Sequence, residues 1–288
     1  MKAIADYYGL SEDQVFVGVG SDDVIGMAFL TFFNSDRPVL FPDITYSFYD
    51  VWADLFKIPY ERPMLDENFR ICARDYDKEN GGVIFPNPNA PTGEAVDLAF
   101  IEEILQHNQD VVVIVDEAYV DFGAPSALPL IGKYENLLVV QTFSKSRSMA
   151  GMRMGYAMGN KDLIKALNDV KYSYNSYTMN MPAIELGVKA IEDKEYFEKI
   201  TAKIIATREY AKEEFKKLGF VFGDSKANFI FVSHPRYPAR EIFEYLKTKK
   251  IYVRYFNADR INNYLRVTVG TKEEMDAVFA VLREFVTE

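Results

Sequence analysis

Five consecutive β-branched residues, Val111 to Val115, run into an acid, Asp116. Branching at Cβ restricts χ1 and suits an extended chain. A run with no polar alternation has no solvent face, so it predicts a strand buried on both sides of a parallel sheet. Leu137 to Thr142 repeats the pattern, and Gly82 to Phe85 is a shorter instance ending in a Pro/Asn loop. Leu98 to His107 lies between two of these runs and reads as an amphipathic helix. Upstream, the turn Gly18-Val19-Gly20-Ser21 precedes a helix that starts at Ser21 or Asp22. Arg37 to Phe41 reads as a strand closed by Pro42. Tyr46 to Phe56 reads as a helix with Phe48, Val51, Trp52 and Leu55 at helical spacing. Short buried strands separated by helices predict an α/β domain with a mostly parallel sheet flanked by helices on both faces.

The second half changes character. Pro182 to Leu218 is rich in Ala, Glu, Lys and Ile and predicts one long helix or two in series. Strand-like Phe229 to Ser233, helical Arg240 to Lys249 and strand-like Tyr264 to Val269 follow. Thr271 and Glu274 have capping-box spacing ahead of a C-terminal helix. The division expected is a large α/β domain over residues 1–189 and a smaller α+β domain over 190–288.

Composition removes several function classes. Of the 288 residues 49% are hydrophobic and 26% charged, enough to build a core and too balanced for disorder. A single cysteine, Cys72, excludes a disulfide framework, and two histidines are too few for a His-based metal centre. The net charge of −10, from 33 basic against 43 acidic residues, argues against a nucleic-acid partner. No apolar run reaches membrane-spanning length and no signal peptide opens at Met1. The expected setting is the cytoplasm, with no metal and no membrane.

Three polar loops follow the three apolar runs: 86–93, 116–119 and 144–147. In open α/β sheets ligands sit outside the carboxyl ends of the strands, so these loops are placed to converge. Lys145 lies in the third, among Thr142, Ser144, Ser146, Arg147 and Arg153. It reads as a surface lysine or as an amine whose pKa is depressed for Schiff-base chemistry. Asp116 is either a helix cap or a site acid, since an isolated buried carboxylate is costly. Backbone N–H groups at Gly20, Ser21 and Asp22, at the start of a helix, suit a phosphate.

Together, Asn87-Pro88-Asn89-Ala90-Pro91-Thr92-Gly93, Asp116-Glu117-Ala118-Tyr119, Thr142-Phe143-Ser144-Lys145 and Gly151-Met152-Arg153-Met154-Gly155 resemble the pyridoxal 5'-phosphate (PLP) aminotransferases of fold type I. Within that family the likeness is to the histidinol-phosphate aminotransferase subgroup. Thr45-Tyr46, Tyr174-Asn175 and Leu265-Arg266-Val267-Thr268 support it in the family's order. The resemblance implies that Lys145 holds PLP as the internal aldimine and then acts as the base between Cα and C4′. It implies that Asp116 pairs with the pyridine nitrogen, Tyr119 bonds the ring O3′ and Tyr46 stacks on the ring. Gly20, Ser21, Asp22, Thr142, Ser144 and Arg153 would hold the phosphate. Arg266, assisted by Arg254, would bind the substrate's carboxylate or phosphate, with Asn175 nearby.

Two departures accompany the likeness. Ala90 stands where the family has an Asn that contacts O3′, so Tyr119 acts there alone unless Asn89 swings in. The segment that in the family precedes the position of Met1, and supplies a tyrosine across a dimer interface, is lacking. The implied activity is exchange of an amino group between glutamate/2-oxoglutarate and histidinol phosphate in histidine biosynthesis, by a ping-pong cycle in a homodimer. Threonine-phosphate decarboxylation, aromatic transamination and a non-catalytic remnant are the alternatives.

Overall fold

The computed structural model describes residues 1–287, with side chains through Val286. After α1 (Lys2–Tyr8) come β1 (Val15–Gly18), α2 (Ser21–Phe32), β2 (Val39–Leu40), α3 (Tyr49–Phe56) and β3 (Tyr60–Glu61). Next are β4 (Gly82–Pro86), α4 (Leu98–His107), β5 (Val113–Asp116), β6 (Leu137–Thr142), β7 (Gly155–Gly159) and α5 (Lys161–Tyr174). These strands form one seven-stranded sheet in the order β1-β7-β6-β5-β4-β2-β3. Only β7 runs against its neighbours, pairing antiparallel with both β1 and β6.

The apolar runs alternate between two cores. Val83, Phe85, Val113, Val115, Leu137 and Val139 pack on one face, against α4 residues such as Ile101 and Leu105. Ile84, Ile114, Leu138 and Val140 face the other, against Val24, Ala28 and Phe29 of α2 and Ala53 of α3. A strand with a core on each side takes apolar residues along most of its length. The first polar residue of β5 is its last, Asp116, in register with Pro86 of β4 and Val140 of β6.

Of the two readings of 182–218, the pair in series is the one found: α6 (Met181–Glu192) and α7 (Lys194–Lys217), parted at Asp193, whose carboxylate caps α7 through the Tyr196 N–H. A second sheet follows, ordered β10-β11-β9-β8, from β8 (Val221–Phe222), β9 (Phe229–Ser233), β10 (Arg254–Tyr255) and β11 (Leu265–Thr268). It packs with α7, α8 (Ala239–Thr248) and α9 (Lys272–Thr287) around a third core that includes Phe215, Ile242, Val267 and Phe279. Thr271 and Glu274 cap α9 reciprocally, N–H to side chain in both directions.

The helix expected from Tyr46 begins only at Tyr49, and Tyr46 lies in the loop before it. Of the residues at helical spacing, Phe48, Val51 and Leu55 are exposed, at 41%, 44% and 62%, while the opposite face of α3 buries Tyr49 and Ala53. No helix among the described residues is long and apolar enough to cross a membrane.

Candidate active site

The three polar loops meet at the carboxyl edge of the large sheet around a cavity of about 160 Å³. Asp116, Tyr119, Lys145, Tyr46 and Ala90 are among the residues that line it. The Lys145 Nζ stands 5.1 Å from the centroid of the Tyr119 ring.

Asp116 is buried, and its carboxylate has two donors on the protein side. The Tyr49 hydroxyl donates to Oδ2 at 2.8 Å and the Ala118 N–H to Oδ1 at 3.1 Å. Burial pushes its pKa up to about 6, against the pull of these two donors; nearby Asp22 raises it further and Lys145 lowers it. A carboxylate poised there and open to a cavity is suited to pair with a cationic N–H.

Ser21 and Asp22 open α2, so their N–H groups point into the cavity at the positive end of the helix dipole. Gly20 reaches that position at φ 87°, and a Cβ on it would collide with the Arg153 guanidinium. Gly155 is needed beneath: a Cβ there would stand inside the backbone of Gly20 and Ser21. Arg153, itself in the left-handed region at φ 53°, brings Nη2 to 3.5 Å from Asp22 Oδ2. The Thr142 hydroxyl donates to Ser144 Oγ at 3.0 Å, tying the end of β6 to the loop that carries Lys145. Backbone N–H groups, hydroxyls and a guanidinium around one opening make an anion cradle.

Tyr46 lines the cavity, and its hydroxyl donates to Asp22 Oδ1 at 2.5 Å. Arg266 lies on β11, with its guanidinium 5.0 Å from the Phe229 ring and 5.9 Å from that of Phe256. Phe229 meets Tyr119 edge-on at 5.1 Å, so Arg266 approaches the site from the small sheet. Its Nε is buried with no partner among the described residues. Burial lowers its pKa, Tyr119 opposes that, and Arg254 lowers it further.

Of the expected residues, Gly20, Asn89, Thr142, Asn175, Arg254 and Arg266 are not among those lining the cavity. Asn89 does not line it: its amide donates to the Ile44 carbonyl at 2.9 Å and to Thr92 Oγ1 at 3.1 Å, and its oxygen accepts from Thr45 Oγ1. Both amide hydrogens are used inside the loop, so Asn89 does not stand in for the residue replaced by Ala90. Asn175 is exposed at the end of α5. Arg254 is exposed on β10, beside Arg266 in register. Conversely, Tyr49 was missed. A tyrosine in an apolar helix that needs a partner for its hydroxyl was the available signal. Gly155 stood at the end of the Gly-Met-Arg-Met-Gly stretch, but nothing local gave it this role beneath Gly20 and Ser21.

The donor set fits a phosphorylated pyridine aldehyde. The cavity offers an amine for the aldehyde, an acid for the ring nitrogen and a cradle closed at Gly20 by the Arg153 guanidinium, and beyond it lies Arg266, whose buried Nε has no partner among the described residues. Fold and site together define a PLP-dependent transaminase of fold type I. The chain belongs to the aminotransferase class I and II family, whose sequence profile matches residues 1–282. It is 51% identical over 285 residues to the histidinol-phosphate aminotransferase of Lactococcus lactis subsp. cremoris (strain SK11), spanning 99% of this chain and 80% of that protein. The histidinol-phosphate aminotransferase of Clostridium acetobutylicum shares the fold with a TM-score of 0.91 at 23% identity, over 99% of this chain and 87% of that one. That of Sinorhizobium meliloti, solved with pyridoxal-5'-phosphate, matches with a TM-score of 0.88 at 22% identity, over 99% of this chain and 80% of that one.

Proposed function

We propose that this transaminase exchanges the amino group of glutamate with the oxo group of imidazole acetol phosphate, producing histidinol phosphate and 2-oxoglutarate, in cytoplasmic histidine biosynthesis. The large unit, residues 1–189, holds the cofactor, and the smaller one, 190–288, presents Arg266. What carries the reading is one juxtaposition: Lys145 and the buried carboxylate of Asp116 line the same cavity, with the Lys145 amine over the Tyr119 ring. The near-full-length likeness to histidinol-phosphate aminotransferases selects the substrate.

When bound, PLP supplies an electron sink for the carbanion formed at the substrate's Cα. The chain's residues do the rest. Lys145 would hold the cofactor through its amine and supply the base that takes the substrate's Cα proton. Asp116 would pair with the ring nitrogen, and the Tyr119 hydroxyl would donate to the ring's phenolic oxygen. The α2 N-terminus, Ser144 and Arg153 would hold the phosphate. Arg266 would take the carboxylate of glutamate or the phosphate of histidinol phosphate, a partner its buried Nε lacks among the described residues.

We also infer a homodimer. Phe48, Val51 and Leu55 on α3, with Tyr172, Tyr174, Tyr177, Met181 and Leu186, are exposed apolar side chains of the kind a subunit interface covers. Light scattering checks this; a monomer at micromolar concentration contradicts it. The substrate assignment is tested by steady-state rates with histidinol phosphate, phenylalanine and threonine phosphate. The highest kcat/KM is expected for histidinol phosphate with 2-oxoglutarate as acceptor. Preferred transamination of phenylalanine, or carbon dioxide release from threonine phosphate, overturns it.

A further inference from the structure

The geometry points to Tyr49 as a positioning residue that keeps a proton on the cofactor's ring nitrogen by holding Asp116 in its anionic form. The inference rests on the PLP reading of the site and adds a residue to it.

Tyr49 is fully buried, with its ring packed against Phe29, Phe41 and Tyr46 at centroid distances of 6.4, 5.8 and 5.6 Å. Its hydroxyl reaches Asp116 Oδ2 at 2.8 Å. An ionised carboxylate only accepts, so in this pair the phenol is the donor. Burial first, and the neighbouring Asp116 second, hold the Tyr49 hydroxyl well above the ordinary tyrosine range, so it keeps its proton throughout the working range. With the Ala118 N–H on Oδ1, each carboxylate oxygen has one protein donor, leaving lone pairs for the cavity.

The consequence is a matter of matched basicities. A pyridine nitrogen and a buried carboxylate have similar affinity for a proton, and the proton can sit on either. On the ring it leaves a pyridinium that withdraws electrons; on Asp116 it leaves a neutral ring that withdraws them poorly. A phenol donating to the carboxylate lowers the carboxylate's basicity by about tenfold, which is one hydrogen bond to a charged acceptor at the lower end of its usual range. The other ionisable groups facing Asp116 are Asp22 from α2, Tyr46 before α3, Tyr119 after β5 and Lys145 after β6. Of the described side chains, Tyr49 makes the direct hydrogen bond to the carboxylate.

The test uses holoenzyme reconstituted with PLP carrying ¹⁵N in the ring, in the wild type, Tyr49→Phe, Asp116→Asn and the double variant. The ¹⁵N chemical shift reports whether the ring nitrogen is protonated. Wild type is expected at the pyridinium position and Tyr49→Phe part of the way toward neutral pyridine, with kcat about tenfold lower and KM within about threefold. Tyr49→Phe is expected to add nothing in the Asp116→Asn background, since Tyr49 acts through that carboxylate. Should Tyr49→Phe fold poorly, 3-fluorotyrosine at position 49 keeps the shape and is the stronger donor; it raises the pH at which the ring-nitrogen shift passes from pyridinium to pyridine. A shift unchanged by Tyr49→Phe, or a transition pH unmoved by 3-fluorotyrosine, while Asp116→Asn changes the shift, overturns the inference and leaves the site reading standing. A shift unchanged by Asp116→Asn overturns both.

Discussion

Replacing Gly155 with alanine places a methyl group inside the backbone of Gly20 and Ser21. Gly155 opens β7, between Gly18 of β1 and Thr142 of β6. Its missing Cβ would contact the Ser21 nitrogen and the Gly20 carbonyl, all main-chain atoms, so no rotamer change relieves the clash. Carbon contacts settle near 3.5–4.0 Å, so the start of α2 must retreat by about 1 Å. Such overpacking costs about 1–3 kcal/mol of stability. The retreat also draws the Ser21 and Asp22 N–H groups from the anion they serve. One hydrogen bond to a charged acceptor is worth about 1.5–3 kcal/mol, so affinity for the phosphate falls by about tenfold to a hundredfold. The assay is equilibrium binding of PLP and of pyridoxal, which lacks the phosphate. PLP binding is expected to weaken by that factor and pyridoxal binding to change little. An equal loss for both, or none for either, refutes the claim that Gly155 exists to admit the phosphate cradle.

Three further perturbations separate the roles of neighbouring residues. In the cofactor-free protein burial raises Asp116 from 3.8 to about 6, so the folded state binds its proton more tightly than the unfolded chain. Its contribution to stability is therefore full below about pH 4 and is lost as pH rises through 6, a swing of about 3 kcal/mol. Urea titrations from pH 4 to 7 should show that slope added to the one from buried Glu117, which burial raises to about 7, and Asp116→Asn should reduce the total by its own share while strongly lowering the turnover of the holoenzyme. Arg266→Ala should raise KM for glutamate by about tenfold to a hundredfold with PLP affinity unchanged, as expected for a lost partly desolvated carboxylate contact; unchanged KM for both substrates removes Arg266 from the site. Ala90→Asn should supply a second donor, beside Tyr119, to the cofactor's phenolic oxygen. The visible band of the bound cofactor should then titrate somewhat under one pH unit lower, a shift of about 1 kcal/mol, and an unmoved titration means the new amide does not reach.

The large sheet was legible because its strands carry a core on each face. Val113 and Ile114 point in opposite directions, yet both had to be apolar, so the run itself announced a buried parallel strand. Asp116 and Lys145 were legible for a related reason: a polar residue directly after such a run has left the sheet at its carboxyl edge. The antiparallel strands β1 and β7 escaped notice because Val15-Phe16-Val17-Gly18 and Gly155-Tyr156-Ala157-Met158-Gly159 mix glycine with large residues, and glycine reads locally as a turn. The direction of the α3 apolar face was also illegible. Helical spacing says that Phe48, Val51 and Leu55 share a side, and not whether that side meets this chain's core or stays outside. Asn89 was read by residue type alone. Its amide could serve the cofactor or the loop, and the bonds to Ile44 and Thr92 that decide the matter come from tertiary structure. Tyr49 was hidden for the same reason, since its partner Asp116 lies 67 residues away in the chain.

The central claim is that Lys145 carries the cofactor in a working transaminase. The most direct measurement is borohydride reduction of the PLP-loaded enzyme, followed by protease digestion and mass spectrometry, with and without prior addition of glutamate. The pyridoxyl mass is expected on the peptide containing Ser144-Lys145-Ser146, and is expected to be lost when glutamate first converts the cofactor to its amine form. A label on any other lysine, or a label on Lys145 that glutamate does not diminish, contradicts the assignment.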